Sequence, residues 1–520
     1  MKASRAASGL LARTEHRLRP DASRTLGRLF VPGQESLIRG GSRALAVIDR
    51  ILDLSDQEVD HALARTLARF SAGYRDLAGT LERNFQLGAH RVGAEIAVGS
   101  ARRQLIGAYF THEYALEAAA LFNPSIVAHP DQTGCQPGEV RFIMSLRAVG
   151  EGHLSSIEFR TGTIGDDSAI RFDSPGRFLD TGRTRSIPYD RNLFAKKLTE
   201  LGQDDENAQL LWGLLPPRFT ATELNAALAE LSRQHVTRAD STALVDRVGW
   251  MATSNYAVEF SEHHSLPERV LWPASPAESH GMEDARFVRF SDGADTIYYA
   301  TYTAFDGSQV APHLLETSDF RTFTISQLCG PSAANKGMAL FPRKIAGRYA
   351  ALSRWDRESN AIAYSADAHD WSQARTVQSP THPWELIQLG NCGSPIETPA
   401  GWLVFTHGVG PMREYAIGVA LLDLDQPERL IAALGEPLLM ADESEREGYV
   451  PNVVYSCGSM IHGGTVVLPY GCSDSSVRIA MVDLSLLLER LMASRDASAG
   501  RFNRRSSGGR GTTGSPGTGA

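Results

Sequence analysis

Apolar residues recur at helical spacing in the first quarter of the chain and at strand spacing over most of the rest. Leu45, Ile48, Ile51 and Leu52 share one helical face, and Ser55-Asp56-Gln57-Glu58 is a capping-box pattern that opens a second helix with Leu63 and Leu67 on one side. The run ARRQLIGAYFTHEYALEAAALF, from Ala101, continues the helical character. At Phe122-Asn123-Pro124 the texture changes. RFIMSLRAV and SSIEFRTGTI are β-rich runs joined by GEGHL, which predicts a hairpin. Helical spacing returns over 189–245, where Thr220-Ala221-Thr222-Glu223 is another capping box ahead of Leu224, Leu228 and Leu231. From about residue 249 short apolar strands recur between Gly, Asp and Pro, among them IYYATYTAF, RYAALSR, GWLVFTHGV, YAIGVALLDL and VRIAMVDL.

Grouped, these runs predict about five antiparallel sheets, at 141–172, 281–320, 338–375, 390–425 and 450–485. The expected fold is mainly β: a five-bladed β-propeller with an α-helical N-terminal region and a helical insertion, with a sandwich as the alternative. The expected organisation is a poorly ordered N-terminus (1–42), a helical region (43–120), a first blade (121–188), a helical insertion (189–245) and the remaining blades (246–490). The Gly/Ser/Thr-rich stretch 495–520 reads as a disordered tail.

Charge and cysteines narrow the function. A net charge of −8 over 520 residues gives no basic face for nucleic acid. No stretch reaches the roughly 20 apolar residues a membrane span needs. The first residues are basic without an apolar core, so a secretory signal is not expected. The five cysteines, an odd number without CxxC spacing, argue against a zinc ribbon or a disulfide framework. The expected location is cytoplasmic, with no nucleic-acid or membrane partner. The sequence leaves homo-oligomerisation open.

Candidate chemistry sits at predicted strand ends. Gly281-Met282-Glu283-Asp284-Ala285-Arg286 pairs two carboxylates with an arginine at a strand entrance. Arg354 follows an apolar strand and precedes Trp355 and Asp356, while His407 and Tyr415 lie further on. Arg147 ends another strand, with Glu151 and His153 after it. If these ends converge on one pocket, the set suits sugar cleavage, with Trp355 or Tyr302 available to stack on a sugar face. Arginine and histidine would equally hold a phosphate. GxSxG, HExxH, Walker A and Rossmann patterns are missing.

At these residues the sequence resembles glycoside hydrolase family 130, the β-mannoside phosphorylases and β-mannosidases. The resemblance rests on GMEDAR (281–286), YYATYTAFDG (298–307), NKGMALFPRKIAGRYAALSR (335–354), GSPIETPAGWLVFTHGV (393–409), EGYVPNVVYSCG (447–458) and YGCSDSSVRIA (470–480), with FNPSIV (122–127) in the first blade. It implies a five-bladed propeller and Asp284 as general acid, its proton reaching the glycosidic oxygen through a hydroxyl of the bound mannose. It also implies sugar contacts at Arg147, Glu283, Arg286, Asn255, Tyr302 and Asp306, and phosphate contacts at Arg354, His407, Tyr415 and Gln388. No metal or cofactor is expected, only inorganic phosphate as co-substrate beside a β-mannoside oligosaccharide. Two departures stand out. Ala285 replaces the motif proline, and Gln388 stands where similar phosphorylases place a cation. Two reactions therefore share Asp284: phosphorolysis giving α-mannose 1-phosphate, favoured by Arg354, His407 and Tyr415, and hydrolysis with Glu151, Asp356 or Glu358 as base. A sugar-binding propeller without catalysis is the third reading. The N-terminal helical region and the insertion are absent from shorter relatives and are expected to narrow the pocket or to mediate oligomerisation.

Overall fold

Strands that are apolar on both faces must be covered on both faces. In Gly401–Val409 every residue is buried. Trp402 and Val404 pack with Leu352 and Ile362, whereas Leu403 and Phe405, one step along the pleat, pack with Val466 and Leu468. This two-sided packing organises the molecule, described here from a computed structural model that covers residues 9–33, 43–93, 95–234 and 241–507.

Among the described residues most of the β-structure falls into five mainly antiparallel meanders, the first two joined in one eleven-stranded sheet, with two small two-stranded sheets beside them. The first contains Ala120–Ala128, Val140–Val149 and Ser155–Ile164. The second runs from Gly281–Asp292 through Asp295–Phe305 and Val310–Thr317 to Thr322–Gln327, with Tyr256–Glu259 and Arg183–Ser186 added at its edge. Tyr349–Ser353 is in the third, Gly401–Val409 in the fourth and Thr465–Cys472 in the fifth. A parallel pairing of Gly281 with Ser155 connects the first meander to the second. Apolar clusters lie between first and second, second and third, third and fourth, fourth and fifth, and fifth and first. Hydrogen bonds follow the same order: Phe287 N to Ser125 Oγ at 3.1 Å, Thr301 Oγ1 to the Met338 carbonyl, Leu389 N to the Glu358 carbonyl at 2.9 Å, Tyr415 N to the Asn452 carbonyl at 3.0 Å and Cys457 N to the Pro124 carbonyl at 2.8 Å.

The helices fall largely where helical spacing occurs. Asp56–Phe70 begins with the expected capping box at Ser55 and Glu58. Four helices between Arg191 and Thr253 form a small core of their own around Phe194, Leu211, Leu228 and Val248. Among the described residues no helix is long and apolar enough to cross a membrane.

Three expectations are corrected. Helix does not continue through 101–122: it ends at Tyr109, and Thr111–Ala115 then pairs with Thr25–Leu29. The Ala-rich run that follows has high helical propensity, yet Ala120–Ala128 is a buried strand, because packing overrides propensity. Nor is the stretch 1–42 without order where it is described. Leu11–Leu18 pairs antiparallel with Ser476–Asp483, and Arg24 is buried against Glu117 at 2.8 Å and Glu158 at 2.6 Å. The final helix, Leu484–Ser507, extends past Arg495 into the expected tail, and residues 508–520 lie outside the described residues.

Candidate active site

The site is built on two bulges. In the strand Gly281–Asp292, Asp284 and Ala285 stand opposite the single residue Tyr302. In Ala120–Ala128, Asn123 and Pro124 stand opposite Leu146. Asn123 and Asp284 both take left-handed backbone, with φ of 49° and 58°. A bulge turns a side chain out of the pleat, and a left-handed non-glycine residue persists only where its surroundings hold it. These two side chains meet: Asn123 Nδ2 donates to Asp284 Oδ1 at 2.6 Å.

Cations surround this pair. Arg147 donates to Glu283 Oε1 at 2.7 Å and lies 3.4 Å from Asp284 Oδ1, and Lys336 pairs with the other oxygen of Glu283. Arg286, 1% exposed, donates to the Asp284 backbone carbonyl at 3.0 Å and to the Tyr455 hydroxyl at 2.7 Å. Burial alone would raise the Asp284 carboxyl, but Arg147, Arg286 and Lys336, with the Asn123 hydrogen bond, hold it below the usual carboxylate range. Asp474 behaves in the opposite way: burial and the nearby Asp284 charge push it up to about 6, against the pull of Arg147 and Arg413.

A second cluster adjoins the first through Tyr455, whose ring centroid is 4.7 Å from that of His407. Arg354 Nη1 donates to His407 Nε2 at 2.9 Å, so Nδ1 carries the proton and donates to the Asn391 carbonyl at 3.1 Å. Burial, then Arg354 and Arg286, keep His407 neutral, far below its ordinary pKa. Tyr415 stacks on His407 at 6.2 Å. Gln388 lies two residues before Gly390, on the same face of its strand. That face carries the second cluster, since a Cβ on Gly390 would stand 2.4 Å from His407 and 3.1 Å from Arg354.

The expected residues thus divide. Arg147, Glu283, Asp284 and Arg286 form one cluster; Arg354, His407 and Tyr415 share a second beside it, with Gln388 on the strand face turned toward it. Three others lie elsewhere. Tyr302, 2% exposed, is buried with its hydroxyl bonded to Glu278, so it cannot stack on a sugar. Asn255 accepts from Gln327 N and lines a separate cavity of about 640 Å³ beside the helical insertion. Asp306 is occupied capping a hairpin turn, accepting from Ser308 N and Gln309 N. Asn123, Lys336, Tyr455 and Asp474 were not singled out, although each lies inside a recognised motif. Of the expected bases, Asp356 caps its own turn by accepting from Glu358 N and Ser359 N, and Glu151 and Glu358 are exposed.

Buried carboxylates held among arginines suit sugar chemistry, and comparison with known proteins gives the class: a carbohydrate-active enzyme. Over residues 233–492 it matches the family model described as beta-1,4-mannooligosaccharide phosphorylase, and it belongs to that family, glycoside hydrolase family 130. It is 31% identical over 249 residues to a 1,2-beta-oligomannan phosphorylase of Thermoanaerobacter sp. (strain X514), covering 46% of this chain and 79% of that one. A Beta-1,2-mannobiose phosphorylase of the same organism is 34% identical, covering 46% and 78%. Another, from Listeria innocua, is 31% identical, covering 44% and 65%.

Proposed function

We propose that this enzyme cleaves β-mannosides by phosphorolysis with inversion, releasing α-mannose 1-phosphate, with Asp284 as general acid. The observation that carries the reading is Arg354. Among the described residues it pairs with no carboxylate; its Nη1 faces neutral His407, and its buried Nε has no partner. An uncompensated guanidinium beside a neutral imidazole suits an anion, whereas a hydrolase needs a carboxylate there to activate water. The relatives, all named as phosphorylases, support the same choice.

In the proposed reaction a phosphate oxygen held by Arg354 attacks the anomeric carbon from the face opposite the leaving sugar. The C–O bond to the aglycone breaks, and its oxygen takes a proton that originates on Asp284 and passes through a mannose hydroxyl. In the empty site the cations around Asp284 favour its ionised form; for Asp284 to act as general acid, the negative charge of bound phosphate has to offset those cations and raise its pKa. We read the five meanders as the blades of a propeller. The cyclic order of the apolar clusters supports this. Five free cysteines suit a reducing cytoplasm, where phosphate is plentiful.

The test is product release from β-mannobioses of each linkage, with and without phosphate. Mannose 1-phosphate formed only with phosphate is expected. Free mannose at an unchanged rate without phosphate would make the enzyme a hydrolase. Asp284→Asn should reduce kcat by roughly 10²–10⁴-fold while leaving mannoside binding measurable.

A further inference from the structure

The helical N-terminal region has no part in the chemistry above, yet it touches the turn that follows the strand carrying Arg147. Tyr114, in the strand Thr111–Ala115, is 1% exposed. Its hydroxyl donates to the Glu151 carbonyl at 2.9 Å and lies 3.4 Å from the Leu154 carbonyl. The contact is too close for a side chain at Gly150, where a Cβ would stand 2.4 Å from the Tyr114 hydroxyl and 2.6 Å from the Ala115 carbonyl. The Gly150–Leu154 turn is therefore moulded onto the N-terminal region. It is also tightly shaped, with Gly152 and His153 both left-handed at 68° and 58°.

This turn joins the two strands that border the catalytic centre. Arg147 lies just before it, and Ser155, just after it, pairs with Gly281 at the start of the strand carrying Glu283 and Asp284. The turn also reaches across to the fifth meander. His153 Nδ1 and the Tyr449 hydroxyl are 3.1 Å apart, and their rings are 5.7 Å apart. Tyr449 N donates to Ser475 Oγ at 2.8 Å, beside Asp474. Tyr449 is half exposed, so its position depends on these few contacts.

We infer that the N-terminal region is a positioning element for the catalytic pocket: through Tyr114 it fixes the Gly150–Leu154 turn, and through His153 that turn holds Tyr449. The inference takes the cluster around Asp284 to be the catalytic site, as proposed above. Tyr114 and Tyr449 then act on substrate binding as one unit, and their effects are not independent.

The test is a double-mutant cycle with Tyr114→Phe and Tyr449→Phe, each removing one hydroxyl and keeping the ring. Tyr114→Phe should raise KM for β-mannobiose roughly fivefold, as expected for one lost hydrogen bond, with kcat within about twofold. The double variant should be no worse than the more affected single one. A purely structural role would lower the melting temperature and leave KM alone. An unchanged KM, or effects that multiply, overturns the inference. Should Tyr114→Phe fail to fold, His153→Phe, which cuts only the outer link, must reproduce the rise in KM, and its failure to do so also overturns it. If the parent enzyme cleaves no β-mannoside, the reading of the pocket fails instead. The brace is then judged by hydrogen exchange, which Tyr114→Phe, or His153→Phe in its place, must accelerate within 446–452 and Tyr114→Phe also within 150–154. Unchanged exchange overturns it.

Discussion

At the residue scale the two aspartates of the pocket are set apart by what surrounds them. Asp284 is held low by three cations, while Asp474, pushed up to about 6, keeps a proton that the unfolded chain has released. Between roughly pH 4 and 6 the native state binds more protons at Asp474, so its contribution to stability falls as pH rises through that window. Asp474→Asn cannot titrate. Its melting temperature relative to the parent should therefore rise from pH 4.5 to pH 7.5, as calorimetry at the two values would show. Gln388 gives the second prediction. A cation on the face that carries Arg354 and His407 should strengthen phosphate binding, so Gln388→Lys should lower KM for phosphate by roughly fivefold, about the effect of 1 kcal/mol between partly solvated charges. Initial rates over a phosphate series would measure it, and an unchanged KM would mean that Gln388 does not face the anion.

At the scale of the element, the strand Gln388–Asn391 works because it contains no side chain at Gly390. Its backbone is not left-handed, so alanine fits the chain there and fails only by collision with His407 and Arg354. Gly390→Ala should displace the imidazole and raise KM for phosphate by an order of magnitude or more, with mannoside binding less affected; titration calorimetry with each ligand separates the two. Strands also explain what the sequence made legible. Asp284, Arg147, Arg354 and His407 were readable because they sit in long motifs at strand ends, and the capping boxes at Ser55 and Thr220 were readable because all their parts lie within four residues. Tyr302 was misplaced because a motif does not say which face of the pleat a residue takes. Tyr298, Ala300, Tyr302 and Ala304 all point into the core between the first two meanders. Asn123 and Lys336 were overlooked because only a bulge and a neighbouring meander bring them to the carboxylates. The strand Leu11–Leu18 could not be read locally, since its partner lies at the far end of the chain.

At the scale of the whole molecule, the five meanders are held by five apolar interfaces and by the pairing of Leu11–Leu18 with Ser476–Asp483. Arg13 also reaches Glu445, which is fully buried, at 3.3 Å. Removing residues 1–20 would bare an edge strand and leave Glu445 with fewer partners. The melting temperature should fall by roughly 5 °C or more, and light scattering should show association that grows with concentration. The same pairing has a consequence for biosynthesis. Arg17 and Ser476, which share a hydrogen bond, are 459 residues apart. A strand made early therefore pairs with one made more than four hundred residues later, and it must stay unpaired while the intervening chain is made and folds. Its sequence, LARTEHRL, places three charged residues among few apolar ones, which suits a strand that has to remain soluble and unattached until its partner arrives.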